Sequence, residues 1–125
     1  MENIISLHEK LNQIYQIAKN LHWFTRNYGN HLLFDRIADE VLSDDDSLVE
    51  LFLMDEPFVA LPVPAAYDSK ILATDLYVVL NECINNAIAL CESAKAKNII
   101  GAAQSLLDGI QEHLIVKKNL LLNYV

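Results

Sequence analysis

All three prolines of this chain lie between residues 55 and 68, in the segment DEPFVALPVPAAYD. Because proline lacks a backbone N–H and clashes with the preceding helical turn, no helix runs uninterrupted through this segment. The rest of the chain contains no proline and only three glycines, so little of it suits tight turns. This distribution predicts long helices on either side of one long connection.

Apolar residues recur at intervals of three and four through the rest of the 125-residue chain, as they do along one side of a helix. The pattern predicts four helices: residues 3–27, residues 30–54, a third from between 69 and 75 to near 97, and a fourth, capped by Asn98, to near 123. The 14 residues from 55 to 68, if extended, span about 45 Å at roughly 3.3 Å each, enough to return along a bundle. We therefore predict an all-α, ferritin-like four-helix bundle, a single domain over residues 1–125, with one long crossover connection between the second and third helices.

Each predicted helix has an apolar side that we expect to face the core. The residues expected there are Leu7, Leu11, Ile14, Ile17, Ala18, Leu21 and Phe24 in the first helix, Leu33, Ile37, Val41, Leu48, Leu51 and Phe52 in the second, Leu72, Leu76, Val79, Leu80, Cys83, Ala87, Leu90 and Cys91 in the third, and Ile99, Ala103, Leu106, Leu107, Ile110, Leu114 and Leu121 in the fourth. Cys83 and Cys91 are too far apart on one helix to be bridged, so we expect two buried free thiols. Asp44 falls on the core side of the second helix, and the pattern offers no reason for it.

Composition narrows the classes of partner. The formal net charge is −8, which argues against nucleic acid, because the phosphate backbone repels an acidic surface. A hydrophobic fraction of 53% is high for one small domain and favours self-association. The chain has no run of 18 apolar residues and no basic-then-apolar leader at its start, so we expect no membrane span and a cytoplasmic location.

Two metal-ligand-like pairs occur between His31 and Glu50. The N-terminal pair is His31 and Asp35, and the C-terminal pair is Asp46 and Glu50. Each pair has i, i+4 spacing, and at about 100° per residue all four side chains share one face of a helix. Asp35 and Asp46 nevertheless lie roughly 16 Å apart at about 1.5 Å per residue, too far for one helix to wrap both pairs around one metal.

A two-fold axis removes this difficulty. If two copies of the second helix cross antiparallel near Glu40 and Val41, the N-terminal pair of one chain faces the C-terminal pair of the other, and the contact occurs twice. One nitrogen and three carboxylates then meet, a set suited to iron, manganese or zinc. A second apolar side of this helix is expected to form the dimer interface, and it consists of Ala38, Leu42, Val49 and Leu53.

The chain also resembles a known family, the Dps-like mini-ferritins, which are iron-oxidising shells of the ferritin superfamily. The resemblance rests on His22-Trp23 near the end of the first helix and on the spacing His31-x3-Asp35-x10-Asp46-x3-Glu50. The Leu-Leu, Glu-His and closing Leu pattern of the fourth helix is similar as well. The family implies that His22 is a fifth ligand, so the implied metal ligands are His22, His31, Asp35, Asp46 and Glu50.

The resemblance implies a ferroxidase and iron-storage function. Fe(II) would be oxidised by peroxide or dioxygen at a mononuclear or di-iron site shared between two-fold-related subunits, with self-association as a dimer or a larger shell. The sequence departs from the family in three places. The link from His22 to His31 is about three residues shorter, the segment 55–68 is proline-rich where the family has a short helix, and no basic N-terminal extension is seen.

A different class of function fits the same residues. Acidic side chains on helices are usually solvated, and Asp44-Asp45-Asp46 reads equally as a charged surface run. In that case the protein is a non-catalytic ferritin-like bundle that serves as a structural or interaction module. His22 could then be a core histidine bonded to a carbonyl, His113 a surface group, and His8 carries no signal.

Overall fold

The computed structural model describes residues 2–54, 67, 70–97 and 100–124 and places four helices within them. They are α1 (Glu2–Phe24), α2 (Tyr28–Phe52), α3 (Ala73–Lys97) and α4 (Gly101–Leu120), followed by a short 3-10 turn over Leu121–Asn123. The prediction of an all-α four-helix bundle is confirmed for these residues. The proline-rich connection lies outside the described residues except for Tyr67, and the proposed cap Asn98 and core residue Ile99 lie outside them as well.

The packing of the helices determines their order around the bundle. α1 packs against α2 and α3, and α4 packs against the same two helices, whereas in the described part of the chain no Cα atoms of α1 and α4, or of α2 and α3, lie within 8 Å of each other. α2 and α3 therefore occupy diagonal corners. They are therefore not neighbours, as the prediction of a crossover between them requires.

The direction of the helices follows from side-chain contacts. The Tyr77 hydroxyl donates to the Leu121 carbonyl at 2.7 Å, and Lys95 Nζ lies 2.9 Å from Asp108 Oδ1, so the start of α3 meets the end of α4. The contacts of α2 with α1 and α4 described below are antiparallel in the same way. Since α2 and α3 are both antiparallel to α4, they run parallel to each other.

The core contains most of the predicted apolar residues, but its position on α2 is rotated by about one residue. Phe34 is fully buried, whereas the predicted Leu33 is only half-buried. Three expected core residues are exposed: Phe24 (77%), Leu51 (47%) and Leu72 (67%). Phe24 and Leu72 lie at or beyond helix ends, where the neighbouring helices no longer cover them, and Leu51 lies in the last turn of α2.

The two cysteines are buried free thiols, as predicted. Burial raises the pKa of the Cys83 thiol and raises that of Cys91 to about 12. Since the thiolate is the reactive form, both side chains act as small apolar groups at neutral pH.

A polar cluster ties α2 to α4 and explains Asp44. His113 Nδ1 lies 2.9 Å from an Asp44 carboxylate oxygen, and the ammonium of Lys117 pairs with Glu40 one turn away on each helix. The Lys117 side chain is only 3% exposed. Burial raises the pKa of Asp44, and the hydrogen bond from His113 opposes that shift. Asp44 faces the core side because α4 supplies its partner there.

A second cluster ties α1 to α2. His8 Nδ1 lies 2.7 Å from Asp45 Oδ1, and the Asn12 amide donates to Asp45 Oδ2 at 3.0 Å. Burial raises the pKa of Asp45, and these hydrogen bonds oppose that shift without cancelling it. His8 Nε2 is buried with no hydrogen-bond partner among the described residues. His8, which carried no signal in the sequence, is thus a buried residue of the α1–α2 interface.

Glu40→Ala is expected to lower the free energy of unfolding by about 2–4 kcal/mol, because it leaves the buried Lys117 ammonium without its carboxylate. Lys117→Met in the same background should recover most of that loss, since the apolar stem is kept and the unpaired charge is removed. Urea denaturation measures both effects. Glu112→Ala, an exposed acid on α4, is the matched control and should change stability by less than about 0.5 kcal/mol. Equal effects of Glu40→Ala and Glu112→Ala would contradict the role of the buried pair.

Candidate functional site

The connection between α1 and α2 lies three residues earlier in the chain than predicted, because α1 ends at Phe24 and not at residue 27. α2 begins at Tyr28, so only residues 25–27 join the two helices. The N-cap is Asn27, whose side-chain oxygen accepts from the Asn30 N–H at 2.9 Å, whereas the second helix was predicted to begin at residue 30. Gly29 lies inside the first turn of α2, and no glycine among the described residues has a positive φ. This short connection places the end of α1 directly against the start of α2.

His22 and His31 meet across this connection and hold each other in a fixed orientation. His22 Nδ1 lies 2.8 Å from the backbone oxygen of His31, and His31 Nδ1 lies 2.7 Å from the backbone oxygen of His22. The two rings stack with centroids 3.9 Å apart and an angle of 24° between their planes. We call this arrangement the histidine pair.

These hydrogen bonds decide which nitrogen of each ring carries the proton. A carbonyl oxygen can only accept, so each Nδ1 must be the protonated donor. In the neutral rings both Nε2 atoms therefore carry a lone pair. A ligating histidine in a metal site commonly has this arrangement, with its other ring nitrogen donating to a backbone carbonyl. His22 is thus hydrogen-bonded to a carbonyl, as the non-metal interpretation expected, and at the same time presents a free Nε2.

Asp35 lies next to the histidine pair. Its Oδ1 is 3.8 Å from His22 Nε2 and 3.2 Å from Lys19 Nζ, and its side chain is 41% exposed. His22 therefore lies against both His31 and Asp35. Lys19 was not recognised from the sequence, although its position one turn before His22 on α1 places it on the same face.

The C-terminal pair lies apart from this group. Asp46 and Glu50 are exposed, and they make no hydrogen bond or ion pair with the described residues. At about 1.5 Å per residue along α2, Asp46 is roughly 16 Å from Asp35. One chain thus brings together His22, His31 and Asp35 but does not bring Asp46 and Glu50 to them. Within the described residues, no group of three or more His, Cys, Asp or Glu side chains is arranged to hold a metal ion.

An acidic cleft of about 550 Å³ runs along α2 from Asp35 towards α4. Its lining includes five ionisable groups besides Asp35: Arg36, Asp39, Glu40, Asp44 and His113. The four acids outnumber Arg36 and His113, so the cleft favours cations over anions.

The outer face of α2, which includes Leu32, Leu42, Asp46 and Glu50, differs from the predicted dimer side. Ala38, which was expected at the interface, is fully buried in the bundle core, and Leu53 packs partly against the same core. That part of the prediction is wrong, because the core of α2 is rotated towards Ala38. Leu42 remains 45% exposed, and Leu32 on the same outer face is 51% exposed. The outer face therefore has two apolar side chains among acids, not a continuous apolar stripe.

Comparisons of this chain with protein-family models, curated proteins and solved structures found no match. In the part of the chain that the structure describes, none of the helices has the length and apolar character needed to cross a membrane.

Nitrogen-15 spectra of the imidazole side chains test the histidine pair directly. Above about pH 8, where histidine is ordinarily neutral, His22 and His31 should both show a protonated Nδ1 and an unprotonated Nε2. The His22→Gln and His31→Gln variants assign the signals. A protonated Nε2 in either ring would show that the reciprocal hydrogen bonds do not exist in solution.

Proposed function

We propose that this protein binds Fe(II) at a site completed by two copies of the chain and oxidises it to Fe(III), in the manner of a Dps-like iron-storage protein. The observation that supports this most is the histidine pair, in which both Nε2 atoms carry lone pairs and that of His22 lies 3.8 Å from an Asp35 carboxylate oxygen. Imidazole nitrogen and carboxylate oxygen are donors that suit iron, and zinc or manganese would also fit them.

The partner's C-terminal pair would complete the ligand set. Asp46 and Glu50 are exposed on the outer face of α2 and engage nothing in the described part of their own chain, so they are available to a second copy. An antiparallel crossing near Glu40 and Val41 would bring them to the partner's His31 and Asp35. The same crossing brings the half of the outer face that contains Arg36 towards the half with Asp46 and Glu50, which is favourable electrostatically.

In this proposal the protein supplies the ligands that hold the iron, and the oxidant takes up the electrons. Carboxylates stabilise Fe(III) more than Fe(II), so the ligand set would lower the free energy needed to oxidise the bound iron. A carboxylate can also bridge two irons. Two Fe(II) ions each give one electron to peroxide, which takes up two protons and leaves as two waters. Dioxygen would take up four electrons. The acidic cleft beside Asp35 would raise the local concentration of Fe(II), and the ferric product would be stored as mineral.

The second candidate function is a non-catalytic bundle that acts as a structural or interaction module. Two observations favour it. No complete metal-binding group is found in one chain within the described residues, and the Lys19 ammonium already pairs with Asp35. In that case Asp46 and Glu50 are solvated charges, and the histidine pair only fastens α1 to α2.

Mixed dimers distinguish these two functions. Asp35→Asn and Glu50→Gln proteins, prepared separately, should each oxidise Fe(II) poorly because both sites of each homodimer lack a ligand. If the two variants are unfolded together and refolded, random pairing gives about half heterodimers, each with one doubly altered site and one intact site. Fe(II) oxidation should therefore recover to about a quarter of the wild-type rate per site.

The control for this experiment is the same mixture without unfolding, which should show no recovery if the dimers do not exchange. Failure to recover with heterodimers present would place both residues in one chain's site or in none. Oxidation at the wild-type rate by both single variants would instead favour the non-catalytic bundle.

Leu42→Arg should weaken the dimer, because it places an unpaired charge at the proposed crossing. Leu42 is 45% exposed in the single chain, so the substitution should leave the bundle folded. Ile115→Arg on α4, at a residue that is 41% exposed, is the matched control and should leave the dimer intact. Sedimentation velocity measures the association. A wild-type protein that sediments as a monomer would end the two-chain proposal.

A further inference from the structure

Lys19 places a cation on the carboxylate that the proposed metal site requires. Its Nζ lies 3.2 Å from Asp35 Oδ1, and His22 Nε2 lies 3.8 Å from the same oxygen. Lys19 and His22 are three residues apart on α1, so they lie side by side on one face of the helix. The ammonium and His22 Nε2 therefore face the same carboxylate oxygen, which is one of the ligand atoms of the proposed metal site.

A metal ion and this ammonium cannot share the oxygen. A carboxylate oxygen that ligates a transition metal sits at about 2.0–2.2 Å from it, and an ammonium at hydrogen-bond distance from that oxygen would repel the metal ion strongly. Lys19 can leave, because it is a compact charge on a flexible four-carbon stem and its side chain is 22% exposed. The ion pair with Asp35 is also partly exposed, so it is weak enough to be replaced.

We propose that Lys19 is an internal competitor for the divalent cation: its ammonium occupies Asp35 when no metal is bound and moves into solvent when metal binds. This inference rests on the proposed function of the site. For metal to bind, the free energy released by its ligands must exceed the free energy lost when the Lys19–Asp35 ion pair breaks. The half-site of one chain offers few ligands, whereas the two-chain site adds Asp46 and Glu50 of the partner. This cost lowers the affinity of both sites equally, so the weaker half-site stays empty at metal concentrations that still fill the two-chain site.

The test measures Co(II) binding to the full-length protein, because Co(II) binds nitrogen and oxygen ligands without consuming an oxidant and its absorption spectrum reports its ligands. Lys19→Met keeps an unbranched side chain and removes the charge. It should tighten Co(II) binding about three- to tenfold, since a partly exposed ion pair is lost and a positive charge beside the metal is removed. Lys10→Met on the same helix is the matched control, because Lys10 is also half-buried and the change in net charge is identical. It should leave the affinity unchanged.

A second measurement follows the ammonium itself. Reductive methylation read by mass spectrometry should label Lys19 faster when Co(II) is present, because the ion pair is broken, and the labelling of Lys10 should not change. Asp35→Asn should weaken Co(II) binding and remove the effect of Lys19→Met. If Asp35→Asn weakens binding while Lys19→Met leaves it unchanged or weaker, the metal site stands and the competition is wrong. If neither wild-type nor Lys19→Met protein binds Co(II), the proposed function and the competition are both wrong.

Discussion

The antiparallel packing of α1 against α2 is the constraint on which the rest of this structure depends. Polar contacts fix its register at both ends: His8 meets Asp45 near one end, and His22 meets His31 at the other. The number of residues from His8 to His22 on α1 equals the number from His31 to Asp45 on α2, so the two helices keep one register along their contact. Since His22 and Asp35 come from different helices, a shift of one residue in this register would separate the grouped side chains.

The three consecutive aspartates of α2 show how tertiary structure divides one sequence feature into three environments. Successive helical residues point about 100° apart, so Asp44 faces α4 and meets His113, whereas Asp45 faces α1 and meets His8. Asp46 faces solvent. Each of the two buried acids is satisfied by a histidine on a neighbouring helix, which offsets part of the cost of burying it. Only the third is free to serve a partner molecule.

The candidate site was predictable in part, and the reason lies in distance along the chain. The i, i+4 spacing of His31 and Asp35 places them on one face of a helix whatever surrounds it. The meeting of His22 with His31 depends on how the chain turns after Phe24, and the predicted end of the first helix and start of the second were two to three residues too late. Lys19 was missed because it acts across two helices, and spacing within α1 does not reveal its contact with Asp35. Ala38 was assigned to the wrong surface because the apolar pattern leaves the rotation of α2 uncertain by about one residue.

By itself, the sequence determined that the chain forms long helices separated by one long connection, because apolar periodicity and the confinement of proline to a single segment are local properties. It also determined which residues of one helix share a face. The tertiary structure alone decided that α2 and α3 lie at diagonal corners, that His8 and Lys117 are buried, and that the two imidazole rings orient each other through backbone carbonyls. These features arise from contacts between residues distant in the chain, whose energies depend on packing and burial that no local pattern contains.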